Sequence, residues 1–196
     1  YLNGDSGGAV TIYHAGVQKL ATTSTGIDVT GTAVTDGVTV AGNLSVDGGT
    51  IKLDGNYPNG VNNVALGNAA LDTASGSNGY SVAVGTNALT AMTSGGSNVG
   101  VGYASGAAIT TGGNNVAVGT EALDATTTGG SNVAIGSAAL GANTTASNNT
   151  AVGYASLSAN TTGAESVALG SNSLSANTEG TANTALGAYA LRNDTL

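Results

Sequence analysis

The chain has 196 residues, including 33 Gly, a single Pro and seven Tyr, with no Cys, Trp or Phe. A core built on large aromatics is therefore excluded, as are disulfides and thiolate metal sites. The formal net charge is −8 and no Lys or Arg stands between Lys52 and Arg192, so most of the chain lacks the basic footprint that holds nucleic acid or anionic lipid.

In chain order, residues 1–55 come first. Val10 and Ile12 flank polar Thr11, Val38 and Val40 flank Thr39, Leu44 and Val46 flank Ser45, and Ile51 and Leu53 flank Lys52. Gly26, Gly31, Gly37, Gly42, Gly48 and Gly55 punctuate the later runs. Short period-two runs between Gly-rich turns predict brief β-strands, each too short to bury much alone. Several chains sharing one core, an intertwined β region, is the expected solution. Residues 56–60, Asn56-Tyr57-Pro58-Asn59-Gly60, read as a turn-rich joint, because Pro interrupts a β ladder.

Residues 61–196 are a repeat. Gly67, Gly85, Gly102, Gly119, Gly136, Gly153, Gly170 and Gly187 are separated by one step of 18 residues and then six of 17. Four positions after each comes Leu71, Leu89, Leu123, Leu140, Leu157, Leu174 or Leu191, with Gly106 as the exception. A fixed period of this length predicts a solenoid: a parallel β-roll of about eight 17-residue coils, all-β.

One copy shows the expected wiring. Val116 and Val118 would fill the coil, while Ala117 and Gly119 would turn to the other face and meet neighbouring chains. A second strand would start at Ala122-Leu123, with Leu123, Ala125 and Thr127 along one face. At most a single helical turn fits there, since β-branched Thr and then Gly follow. The Asn column (Asn63, Asn98, Asn115, Asn132, Asn149, Asn183, with Ser81 and Ser166 in its gaps) would open each coil, its amides bonding one another up the stack. Eight coils stacked about 4.8 Å apart would run to roughly 38 Å. One thin coil covers only one face of a strand that is apolar on both, so three chains sharing surfaces are expected. Tyr1 is not an initiator Met and Ala190-Leu191 ends partway round a coil, so the chain reads as a piece truncated at its C-terminus.

The Asn-Val-Ala-Val-Gly units, as in Asn132-Val133-Ala134-Ile135-Gly136 and Asn98-Val99-Gly100-Val101-Gly102, resemble the head repeats of trimeric autotransporter adhesins of the YadA type. Those heads are left-handed parallel β-rolls in which three chains pack round one axis, with a period usually a few residues shorter. Val10-Thr11-Ile12-Tyr13-His14 and the segment Leu20 to Gly31 resemble stretches of marine and cyanobacterial phage tail fibres, which also carry adhesin-like repeats. Together the resemblances imply a homotrimeric tail fibre. Its partners would be other virion tail proteins and a host cell-surface glycan or protein receptor, with no nucleic acid and no membrane insertion. Its place would be the virion, outside the cell; the alternative is the head of a bacterial adhesin at the cell surface.

No catalytic, cofactor-binding or metal site is expected. Gly4-Asp5-Ser6-Gly7-Gly8 matches the string around the nucleophile of chymotrypsin-like proteases, but those need a His and an Asp upstream of the Ser, whereas only five residues precede Ser6 and the sole His, His14, follows it. His14 alone holds a metal only if several chains converge, and Gly100-Val101-Gly102 lacks the strand–turn–helix setting of a dinucleotide loop. Asp72, Glu121, Asp124, Glu165 and Glu179 fit neither a calcium repeat nor a glycosidase pair. No apolar run reaches membrane-spanning length, and no signal segment is present. Tyr103 and Tyr154 each follow a column Gly and Tyr189 lies one position later in its copy. They are candidates for receptor contact by stacking on sugars, or else fillers of a coil corner. A flat Thr array of the kind that binds ice is a weaker alternative, since its neighbours vary from coil to coil.

Overall fold

The computed structural model describes residues 2–4, 10–15, 17–23, 26–29, 62–73 and 79–193. The chain divides into two compact units, Tyr1–Ile51 and Lys52–Leu196. Ser6, the period-two runs at 38–40, 44–46 and 51–53, and the 56–60 joint lie outside the described residues.

In the first unit, β1 (Leu2–Gly4), β2 (Val10–His14), β3 (Val17–Thr23) and β4 (Gly26–Val29) form an antiparallel sheet in sequential order. The register places Leu2 opposite Ile12, Ile12 opposite Leu20, and Leu20 opposite Val29. A bulge between Ile12 and Tyr13 shifts the pairing, so that His14 stands opposite Val17 at the hairpin end. Ile12 is 42% exposed although it sits on an inner strand. The described strands of this unit make a simple meander within one chain.

The second unit is the β-solenoid. Eight three-residue strands, β5 (Val64–Leu66), β6 (Val82–Val84), β7 (Val99–Val101), β8 (Val116–Val118), β9 (Val133–Ile135), β10 (Thr150–Val152), β11 (Val167–Leu169) and β12 (Thr184–Leu186), pair parallel and in sequential order. They mark about seven turns of the winding, and the register repeats from rung to rung: Val116 opposite Val133, Ala117 opposite Ala134, Val118 opposite Ile135.

The expected second strand is not there; a run of tight turns replaces it. Ala122 N–H donates to Gly119 C=O (3.4 Å) and Thr126 N–H to Leu123 C=O (3.4 Å), while Glu121 and Leu123 both take φ of 55°. Most coils repeat this left-handed pair, for example Ala138 and Leu140, or Ala155 and Leu157. Such a conformation costs a non-glycine residue roughly 1–2 kcal/mol. It persists because it turns the Leu side chain into the coil and leaves the backbone free to bond the adjacent rungs. Leu123 N–H donates to Ala139 C=O (3.0 Å), Glu121 N–H to Tyr103 C=O (2.9 Å) and Thr127 N–H to Thr144 C=O (2.8 Å). The parallel ladder thus continues well beyond the three-residue strands.

The two faces of the strand are the reverse of the expectation. Ala83, Ala117, Ala134, Ala151 and Ala168 are fully buried with Leu71, Leu89, Leu123, Leu140, Leu157 and Leu174, whereas the flanking Val116 and Val118 are only half-buried. Volume is the reason. In the third coil a Cβ added to Gly100 would lie 2.8 Å from Leu89 Cγ, so there even Ala is too large, and the other coils carry nothing beyond Ala at this inward position. The same coil explains the gap in the Leu column: a Cβ at Gly106 would meet Leu89 Cδ2 at 2.7 Å and Ile109 Cδ1 at 2.9 Å. Side chains from its own and the preceding coil occupy the space that a Leu fills elsewhere.

The column Gly serves the stacking itself. Gly119 has φ of 133°, and a Cβ there would lie 2.7 Å from the carbonyl carbon of Gly136 in the next rung. The Asn column is wired side chain to backbone, with amide-to-amide bonding the exception. Asn115 Oδ1 accepts from Asn132 N–H (2.9 Å), Asn132 Oδ1 from Asn149 N–H (3.0 Å) and Asn149 Oδ1 from Ser166 N–H (2.9 Å). Each Nδ2 donates to a carbonyl later in its own coil, as Asn132 does to Ala146 (2.9 Å). Ser81 and Ser166 fill the gaps because Oγ also accepts the next N–H, from Asn98 and Asn183 (3.1 Å each). A second buried ladder, unforeseen, joins Thr126, Asn143, Asn160 and Asn177: Asn143 Nδ2 donates to Thr126 Oγ1 (3.0 Å), Asn160 Nδ2 to Asn143 Oδ1 (3.2 Å) and Asn177 Nδ2 to Asn160 Oδ1 (3.1 Å).

Two outcomes test this wiring by chemical denaturation. Asn132→Ala strands the buried Asn149 N–H and leaves the Ala146 carbonyl with Asn143 Nδ2 as its remaining side-chain donor, lowering stability by about 1–3 kcal/mol, while Asn132→Ser, which keeps an acceptor, loses less. Gly119→Ala combines backbone strain with the clash against Gly136 and lowers stability by at least about 1–3 kcal/mol.

Candidate functional site

The solenoid offers two surfaces on which recognition can be built, and both come from residues pointing away from the coil. The first is the outer face of the eight-stranded sheet. With the Ala column turned inward, the first and third residues of every strand face out: Val82 and Val84, Val99 and Val101, Val116 and Val118, Val133 and Ile135 in the central rungs. Of the sixteen such positions on β5 to β12, only Thr150 and Thr184 are not Val, Leu or Ile, and none is charged. Leu66, Ile135, Val167, Leu169 and Leu186 are exposed outright. Seven rung steps of about 4.8 Å make this stripe roughly 34 Å long. Large contiguous apolar surface is the kind that proteins commonly cover with a partner, which makes this face a candidate site.

The second surface is the corner just beyond the column Gly. Tyr103 and Tyr154 each follow it directly, after β7 and β10, and Tyr189 occupies the next position after β12. The rung order sets Tyr103 and Tyr154 in one column three rungs apart and Tyr189 in the adjacent column two rungs further on, or about 14 and 10 Å along the stack. They are 52%, 61% and 57% exposed, so none fills a coil corner. Their backbones are held by the ladder: Tyr103 C=O accepts from Glu121 N–H (2.9 Å), Tyr154 C=O from Asn172 N–H (2.8 Å), and Tyr189 N–H donates to Ser171 C=O (2.9 Å). The Arg192 guanidinium sits 5.3 Å from the Tyr189 ring centroid. A fourth exposed ring, Tyr80 (70%), lies elsewhere in the coil, just before the buried Ser81. Sequence reasoning passed over it because Tyr80 breaks no column that marks the repeat.

The Gly column gives these surfaces their regularity and takes no part in either, since its role is backbone approach between rungs. The Thr column is likewise occupied. Thr110 Oγ1 donates to Thr127 C=O (3.1 Å), Thr144 Oγ1 to Thr161 C=O (3.1 Å) and Thr161 Oγ1 to Thr178 C=O (3.0 Å), so the hydroxyl protons of these residues serve the inter-rung ladder. Among the described residues no three His, Asp or Glu come together as metal ligands, and no helix is long and apolar enough to cross a membrane.

The acids do not converge. Asp72, Glu121, Glu165 and Glu179 are exposed, and Asp124 is half-buried. Burial lifts the Asp124 carboxyl above its ordinary value of 3.8, backbone N–H groups of Asp124 and Ala125 oppose the rise, and the negative Glu121 adds to it. The folded state therefore holds this proton more tightly than the unfolded chain. Its contribution to stability is complete below 3.8 and is lost as pH rises through the higher folded value. Asp124→Asn is expected to raise the denaturation midpoint at neutral pH and to leave it unchanged in acid, read from paired melts across the pH range. No protein family, curated protein or solved structure matches the chain.

Proposed function

We propose that this chain is a segment of a homotrimeric bacteriophage tail fibre, giving mechanical reach and attachment to the host surface outside the cell, without catalysis. The observation that carries the reading is the uncharged Val, Leu and Ile face on the outside of the coil. A single winding has no second layer to cover it, and sister copies in parallel register supply one: every rung of one chain meets the same rung of another. A threefold closed arrangement satisfies all copies equally. The N-terminal sheet, with Ile12 left exposed on an inner strand, would enter an intertwined trimeric region by the same logic. Three copies multiply weak receptor contacts by avidity, and a shared β core unfolds slowly, which suits a part that works outside the cell.

The head of a bacterial trimeric autotransporter adhesin is the second reading, favoured by the Asn-Val-Ala-Val-Gly units themselves. Both require three chains. They part at the flanking sequence: a membrane-anchor barrel downstream belongs to the adhesin, a virion-attachment or chaperone domain to the fibre.

The trimer is tested by particle mass in solution together with two neighbouring substitutions. Val118→Asp puts a charge on the shared face and is expected to release folded monomers, at a cost on the order of several kcal/mol per assembly. Ala117→Asp puts it inside the coil and is expected to unfold the rungs around it. A compact, stable monomer of the parent chain, or a Val118→Asp trimer with undiminished heat resistance, overturns the reading.

A further inference from the structure

The Tyr corner carries a ligand class. The described part of the solenoid contains no Phe or Trp, and every Tyr in it, Tyr80, Tyr103, Tyr154 and Tyr189, is exposed, so its whole aromatic complement is on the surface while Ala and Leu fill the interior. The thin interior has no room for a ring, so a Tyr in this winding must stand outside; what packing does not require is that large rings be placed on the surface at all.

Three of the four share one corner, at rungs three, six and eight, and the positions between them are short and polar. Thr120, Ser137 and Ser171 stand in the same column as Tyr103 and Tyr154. The result is a row of exposed rings, two in one column and Tyr189 in the adjacent one, with hydroxyls between them. It spans five rung steps, about 24 Å, on a backbone fixed by inter-rung hydrogen bonds.

Charge decides among extended partners. Arg192, already stacked on Tyr189, is the one cation among the described solenoid residues, and Glu121 lies beside the ridge. Apart from that one guanidinium at its end, the ridge offers a polyanion no counter-charge, and Glu121 opposes it. We infer that the Tyr103–Tyr154–Tyr189 ridge binds a neutral, linear polysaccharide, whose successive pyranose rings lay their C–H faces on the three tyrosines and whose hydroxyls pair with the Thr and Ser side chains between. Rings held rigidly at the surface lose little conformational freedom on binding. This inference deepens the attachment reading by naming the receptor's chemistry, and it rests on that reading only for its biological setting.

The test is affinity electrophoresis of the full chain in native gels cast with neutral polysaccharides (a β-glucan, a galactomannan, a dextran) or with polygalacturonate as the anionic comparison, with particle mass measured alongside. The expected result is retardation by at least one neutral polymer and none by polygalacturonate. The combined variant Tyr103→Ala, Tyr154→Ala, Tyr189→Ala should bind at least about tenfold more weakly at unchanged particle mass. Replacing the same three by Phe should retain most binding, and Tyr80→Ala should change nothing. A parent monomer that still shows Tyr-dependent retardation supports the ridge and sinks the trimer. No retardation by any neutral polymer, equal retardation of parent and triple Ala variant, or a change of particle mass in that variant overturns the inference.

Discussion

The constraint on which everything else depends is the backbone hydrogen-bond ladder that runs around the coil and ties each rung to the next at β-sheet spacing. In the strand it is ordinary parallel pairing, as between Val116 and Val133. In the turns it continues through Leu123 to Ala139 and Thr127 to Thr144. Because the partner lies about one coil away, mostly 16 to 18 residues along the chain, each position must accept the same local geometry in every copy. Columns of one residue type follow from this: Gly where two backbones come too close for a Cβ, Asn or Ser where a buried side chain must catch the next rung's N–H, Leu where a left-handed residue swings a large side chain inward.

The thinness of the coil follows from the same spacing and sets the division between inside and outside. Turns that double back after so short a strand leave an interior wide enough for a Leu against an Ala, and the third coil shows the limit, where Gly100 and Gly106 make room for Leu89 and Ile109. The larger β-branched residues are displaced to the outer face, where they form the apolar stripe. An efficient interior and an uncovered exterior are thus the same fact seen from two sides, and the appeal to sister chains arises from it.

Much of this was legible in the residues. The 17-residue step, the Gly and Leu columns and the strand positions are carried by spacing alone. The strand's orientation was not, because Val-Ala-Val alternation says that two faces differ without saying which is inside; only the volume available opposite Leu decides. The turn segment reads as a strand because Ala, Leu and Thr spaced by two look like one face, and nothing about Leu123 or Leu140 advertises a positive φ that Leu rarely adopts. The Asn column was foreseen as a ladder, but its partners are backbone groups of the neighbouring rung, which composition cannot reveal. For the candidate ridge, Tyr103, Tyr154 and Tyr189 stood out by position, and their exposure, which separates a contact residue from a filler, required the fold.

The buried ladders have a further consequence. Their members, Asn115, Asn132, Asn149, Asn143, Asn160 and Thr126, are neutral amides and a hydroxyl bonded to one another and to peptide groups. Dissolved electrolyte screens charges, and these contacts carry no net charge to screen. Moving from fresh water to brine therefore takes no electrostatic strength from these ladders.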